Sequence, residues 1–176
     1  MLKSKKNIIL IGMMGCGKTT IARLLKDRLK MNWIDMDIYI EDKYQMRISE
    51  MFDISEDYFR QKETECCLDV SKMENMIIST GGGVVERCDN IKVLRQNGYI
   101  IYVDRPIPLI LEDIDTSSRP LLKDGAQRLY ELYQKRHPLY LKACDYHVDN
   151  DGTLEEICTK IILKLKELKS LVGYNF

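Results

Sequence analysis

Histidine, tryptophan and proline are scarce in this chain, with two, one and four residues among 176. Six cysteines are present, but no two form a C-x-x-C pair, and only His137 and His147 could assist them. That pattern argues against a structural zinc site and leaves free thiols, most of them core filler. Net charge is also missing: 27 basic residues balance 27 acidic ones. A neutral chain has no global electrostatic reason to seek nucleic acid or an anionic membrane, so any cationic site must be local. Long apolar runs are absent too. Basic residues precede Ile8 to Ile11, but that run is too short for a signal-peptide core or a membrane span and ends at a glycine. A cytoplasmic protein that acts as a monomer is expected. No repeat or low-complexity segment occurs, and 45% hydrophobic with 31% charged residues is ordinary globular composition. One domain over residues 1–176 fits the length.

Short apolar runs alternate with helical patterns. Asn7–Ile11, Trp33–Met36, Met76–Ser79, Tyr99–Val103 and Tyr146–Val148 read as strands. Lys18 to Leu29 places Ile21, Leu24, Leu25 and Leu29 on one helical face. Glu56 to Lys72 follows Ser55 as cap, and Gln127 to Arg136 should stop before Pro138. Thr153 with Glu156 forms a capping-box pattern for a last helix. This alternation predicts an α/β fold: a parallel sheet covered by helices on both faces, with ligands at the C-terminal strand ends.

The segment Gly12 to Thr19, GMMGCGKT, meets the pattern G-x-x-x-x-G-K-[ST] between a strand and a helix. Glycines let several backbone N–H groups turn inward on phosphate oxygens, and the helix N-terminus adds partial positive charge. Gly15, Cys16, Gly17, Lys18, Thr19 and Thr20 are expected to hold ATP. Lys18 should reach the β- and γ-phosphates, and the Thr19 hydroxyl should ligate Mg²⁺. Cys16 reads first as a tolerated small residue. The sharper alternative is a thiol of lowered pKa beside Lys18.

Asp35-Met36-Asp37 ends the second strand, and period-2 geometry would set both carboxylates on one side. One is placed to hold a magnesium-bound water, the other to accept a proton from an incoming hydroxyl. The third strand runs into Thr80-Gly81-Gly82-Gly83, whose glycines permit close backbone approach and offer N–H donors. No Asp ends that strand, as a generic ATPase or GTPase would have, and no N-K-x-D base-reading motif occurs.

GMMGCGKTT, Asp35-Met36-Asp37, Phe59-Arg60 with Glu63, Gly81-Gly82-Gly83, Arg119-Pro120-Leu121-Leu122 and Arg136-His137-Pro138-Leu139-Tyr140 occur in that order. From about Asn7 to Asp149 the chain resembles shikimate kinases. The resemblance implies a three-layer α/β/α fold with a five-stranded parallel sheet of the P-loop kinase type and a mobile lid. It implies phosphorylation of the shikimate 3-hydroxyl by ATP with Mg²⁺, in the pathway to chorismate and aromatic amino acids. Thr19 and Asp35 would then serve the metal, and Asp37 the reacting hydroxyl. Arg60 and Arg136, with the Gly82 and Gly83 backbone, would hold the substrate carboxylate. The substrate-binding segment would span about 33–63 and the lid about 112–124, with catalytic Arg119 reaching the ATP phosphates from it. Glu63 lies three residues from Arg60 and can steady it.

The chain departs from the family at its adenine end. Glu112 stands where an Arg commonly flanks the base, and the loop Asp149 to Thr153 lacks a basic residue. Adenine contacts made differently are therefore expected. A gluconate kinase, a nucleoside-monophosphate kinase and a nucleotide-binding regulator are the rival readings. Arg60, the glycine triplet and Arg136 favour a carboxylate-bearing acceptor over a nucleotide.

Overall fold

The computed structural model describes residues 5–113 and 126–171. The chain enters at strand β1 (Asn7–Ile11) and returns through helix α1 (Lys18–Leu29) to β2 (Asn32–Asp35). Helices α2 (Met36–Tyr44), α3 (Ile48–Ile54) and α4 (Glu56–Val70) lead to β3 (Met76–Ser79). A 3-10 turn (Val84–Glu86) and α5 (Cys88–Arg95) precede β4 (Gly98–Asp104), then α6 (Ile107–Asp113) follows. Helix α7 (Ala126–Ala143), β5 (Tyr146–Asp149) and α8 (Leu154–Leu171) complete the described fold.

The five strands form one parallel sheet in the order β2-β3-β1-β4-β5, flanked by helices. All of β1 is buried, as its unbroken NIILI run predicts for a central parallel strand. The chain passes from β1 to one side of the sheet and later crosses to the other, so the crevice opens at the C-terminal end of β1. No helix among the described residues is long and apolar enough to cross a membrane.

The helix starts at Lys18, Glu56 and the Thr153–Glu156 capping box form as read. Ser55 Oγ accepts from the Tyr58 N–H at 3.0 Å, and Thr153 and Glu156 exchange backbone-to-side-chain bonds at 2.9 and 3.3 Å. Two expectations are corrected. The second strand stops at Asp35, which caps α2, so Met36 and Asp37 are helical and the period-2 argument for the two carboxylates fails. Helix α7 runs through Pro138 to Ala143, so Arg136 sits mid-helix, not at an element end. An interior proline costs about 3 kcal/mol. Tertiary contacts beyond it offset that cost: Tyr140 and Ala143 are buried, and His137 Nδ1 meets Tyr102 Oη at 2.9 Å. The proposed lid from about residue 112, with Arg119, falls largely outside the described residues. Glu112 itself is an exposed position of α6.

One buried polar side chain ties the sheet together. Asn7 donates through Nδ2 to the Met73 carbonyl at 2.7 Å and accepts from the Met76 N–H at 3.0 Å. It thereby fixes where β3 begins beside β1. Asn7→Ala should lower unfolding free energy by about 1–2 kcal/mol, because the part-buried Met76 N–H loses its side-chain acceptor and the Met73 carbonyl keeps only its bond from Asn97 Nδ2. An unchanged urea midpoint would show that Asn7 has no such role.

Candidate active site

Strand β1 delivers Gly12 into a turn that only glycine tolerates. Its φ is 146°, and a Cβ there would stand 2.3 Å from the Val103 carbonyl oxygen. The loop closes onto α1, whose first turn holds no acidic residue and no side-chain cap. Its N–H groups and dipole therefore remain for an anion. Lys18 is buried and donates to the Gly12 and Met13 carbonyls at 2.9 and 2.8 Å. Cys16 is wholly buried. Burial pushes its thiol up despite Lys18, which removes the basis for the lowered-pKa alternative. The Cys16 carbonyl accepts from Asn150 Nδ2 at 2.8 Å, so the β5 end braces the phosphate loop.

Thr19, Asp35 and Ser79 converge below this loop. Thr19 donates to Asp35 Oδ2 at 2.6 Å, and its hydroxyl lies 3.1 Å from that of Ser79. Asp35 Oδ1 accepts from the Asp37 N–H at 3.0 Å. Capping α2 thus orients Asp35 toward Thr19 and swings Asp37 to the opening of the helix. There a Cβ on Gly81 would come within 2.9 Å of Asp37 Oδ1.

Beyond Asp37 opens a second cavity, of about 260 Å³. Ile48, Phe52 and Phe59 give it an apolar side, the two phenyl rings stacked 4.7 Å apart. Arg60 and Arg136 form its cationic side. Arg60 donates through Nη1 to Glu63 Oε2 at 2.9 Å, as its helical spacing predicts. Burial works against the Arg60 charge, but Glu63, Glu86 and Glu56 more than restore it. Burial likewise pushes the Glu63 carboxyl up, and Arg60 opposes that rise. Gly83 packs flat on the Arg60 guanidinium: a Cβ there would collide at 2.3 Å. Asp37 and Gly82 line both this cavity and the one at the phosphate loop, so the two share a wall.

Three participants were not foreseen from the sequence. Glu86 accepts from Arg136 Nε at 2.8 Å and pairs with Arg136 Nη2 at 2.7 Å, across 50 residues of chain. Its closeness to the glycine triplet was visible, but its partner was not. Asn150 lies in the Asp149 to Thr153 loop, which drew notice only for lacking a basic residue. Arg105, at the end of β4, faces a third cavity beside the phosphate loop, together with Gly15, Thr20, Asn150 and Leu154. Its guanidinium is held by Asp113 at 2.6 Å and by the Asn150 carbonyl at 3.2 Å.

Known proteins share this sequence pattern and fold. A family model described as shikimate kinase matches residues 14–166. A shikimate kinase of Clostridium botulinum (strain Alaska E43 / Type E3) is 49% identical over 171 residues, covering 97% of this chain and 99% of that protein. The structure of shikimate kinase from Acinetobacter baumannii in complex with shikimate superposes with a TM-score of 0.88 at 31% identity, covering 96% of this chain and 97% of the other. The Aquifex aeolicus shikimate kinase structure gives 0.81 at 32% identity, with coverage of 96% and 99%. With a family match over most of its length and relatives that align nearly end to end, this chain belongs to the shikimate kinase family.

Proposed function

We propose that this enzyme transfers the γ-phosphoryl group of ATP to the 3-hydroxyl of shikimate, releasing ADP. The observation that carries the reading is the wall shared by the phosphate-loop cavity and the Arg60–Arg136 cavity, at Asp37 and Gly82. Phosphoryl transfer asks mainly for alignment of donor and acceptor and for neutralised charge. Two cavities that meet at a carboxylate supply the alignment.

The acceptor cavity suits a small acid. At about 260 Å³ it lies under the range typical of drug-sized ligands, and a nucleotide acceptor would overfill it. Arg60 and Arg136 present planar forks to a carboxylate, and the Gly82 and Gly83 backbone lies beside them. Phe52 and Phe59 suit the carbon face of a ring. Asp37 orients the hydroxyl and takes its proton as the new O–P bond forms and the bond to the β-phosphate oxygen breaks. Lys18 and the α1 N-terminus hold the phosphates. Lys18 leaves the carbonyls of its own loop to do so. Arg119, from the lid, completes the catalytic set with Lys18 and Asp37. Thr19 and Asp35 form a hard-oxygen donor set that suits Mg²⁺, with the Ser79 hydroxyl close by. When bound, that ion neutralises charge on the phosphate oxygens.

Arg105 takes the nucleoside end. It answers the Glu112 departure with a cation from the end of β4, oriented by Asp113 and Asn150. A guanidinium so held can stack on a base. The protein is read as a monomer, and its balanced charge fits a cytoplasmic enzyme with no nucleic acid or membrane partner.

Incubation with MgATP and shikimate should release ADP. Release with gluconate or a nucleoside monophosphate in its place would overturn the acceptor assignment, and no release with any of them would favour the regulator. Arg136→Lys keeps the charge but loses the fork. It should raise the shikimate KM by roughly tenfold or more in steady-state assays, since a charge-assisted bond contributes about 1.5–3 kcal/mol. Arg105→Ala should raise the ATP KM by about fivefold, in line with a cation–π contact of roughly 1 kcal/mol, with the shikimate KM unmoved. Equal ATP affinity in that variant would take Arg105 out of the nucleoside site.

A further inference from the structure

Arg60 and Arg136 are both nearly sealed from solvent, and neighbouring guanidinium ions repel one another. Glu63 answers for one nitrogen of Arg60. The shared partner is Glu86. Its Oε1 accepts from Nε of Arg136 at 2.8 Å, pairs with Nη2 of Arg136 at 2.7 Å, and lies 3.8 Å from Nη2 of Arg60. Its Oε2 accepts from Lys135 at 2.5 Å, which fixes the carboxylate plane. Burial alone would push the Glu86 carboxyl up. The bonds from Lys135 and Arg136 and the charge of Arg60 outweigh this and hold it below the usual glutamate value, so it stays ionised at neutral pH.

The arrangement leaves one nitrogen of Arg136 without a task. Nη1 is buried and has no hydrogen-bond partner among the described residues. It lies 3.6 Å from where a Cβ on Gly82 would stand, and Arg136 and Gly82 both line the acceptor cavity. A buried guanidinium N–H left unsatisfied is costly unless a ligand completes it.

We propose that Glu86 is the positioning residue of the acceptor's carboxylate site: it grips the Nε–Nη2 edge of Arg136 from behind and leaves Nη1 aimed at the incoming carboxylate. Glu86 also serves as the common counter-ion that lets Arg136 stand next to Arg60 before the acceptor arrives. It does not line the acceptor cavity, so it supports the fork and does not imitate the substrate. The assignment rests on the shikimate kinase reading above, because it takes Arg136 as the carboxylate ligand.

The test is steady-state kinetics of wild type, Glu86→Gln and Glu86→Asp, with shikimate and ATP varied in turn. Glu86→Gln keeps the shape but loses the charge. It should raise the shikimate KM by about tenfold or more, leave the ATP KM unmoved, and change kcat by less than about threefold. Glu86→Asp restores the charge and should recover part of the affinity. In the double variant with Arg136→Lys, the two losses should fall short of multiplying, because both act on one fork. An unchanged shikimate KM in Glu86→Gln overturns the inference. So does a lowered KM, which would make Glu86 a competitor of the substrate, and so does a double variant whose losses multiply fully. If Glu86→Gln does not fold, Glu86→Asp decides alone, since an unaltered shikimate KM there also overturns it. A wild type with no shikimate turnover sinks the functional reading and this inference with it, whereas an active wild type with an indifferent Glu86 sinks this inference only.

Discussion

Backbone meets backbone where the end of β3 crosses the phosphate loop, and the site depends on that contact. Thr80 donates to the Leu10 carbonyl through both its N–H, at 3.1 Å, and its hydroxyl, at 2.9 Å. That double bond to the last turn of β1 sets the glycine triplet against the loop. A Cβ on Gly82 would stand only 3.2 Å from the Met14 nitrogen. Any side chain at this crossing would push the two loops apart. With glycine there, the donor cavity and the acceptor cavity can share a wall, and Asp37 can face both. The central position of β1 in the sheet makes the approach possible, since β3 is its direct neighbour.

The same closeness creates an electrostatic problem, and acids inside the fold resolve it. Arg60 and Arg136 are both buried, and each needs an acidic partner to stay charged there. Each acid does this from its own element: Glu63 from one turn along α4, Glu86 from the 3-10 turn after the glycines. Removing a partner from such a buried pair leaves an uncompensated charge, which is far more damaging than losing a surface ion pair. Preorganisation follows from this. The forks are already oriented, so little conformational freedom remains to be lost when an anion binds.

On the phosphate side the partners are mostly backbone carbonyls and a hydroxyl. Lys18 rests on the carbonyls of Gly12 and Met13, and Asn150 holds the Cys16 carbonyl from across the sheet. Thr19 rests on Asp35, which also caps α2. One carboxylate therefore starts a helix, orients a hydroxyl and fixes where Asp37 points. The error in reading Asp35-Met36-Asp37 as strand is instructive. An Asp that caps a helix and an Asp that ends a strand have the same local sequence, and only the bond from the Asp37 N–H distinguishes them.

Local chemistry was legible in the sequence because it depends on neighbours in the chain. A run such as NIILI has no stable place except a covered parallel strand, and glycines around a Lys-Thr pair at a helix start have few uses other than phosphate binding. The pairing of Arg60 with Glu63 follows from helical spacing alone. What depends on distant segments was not legible. Pro138 predicted a helix end, but contacts from β4 and the glycine loop carry α7 past it. Glu86 lies near Arg136 only because β3 and α7 converge at one end of the sheet, and Arg105 reaches the cavity beside the phosphate loop only because β4 ends beside the Asn150 loop. The sequence by itself determined the phosphate-loop signature, since that signal resides in contiguous residues, while the acid-bearing acceptor was read from the order of separated motifs that resemble one family. Tertiary structure alone decided that Glu86 pairs with Arg136 and that Arg105 lies beside the phosphate loop, because those contacts join residues brought together from far along the chain.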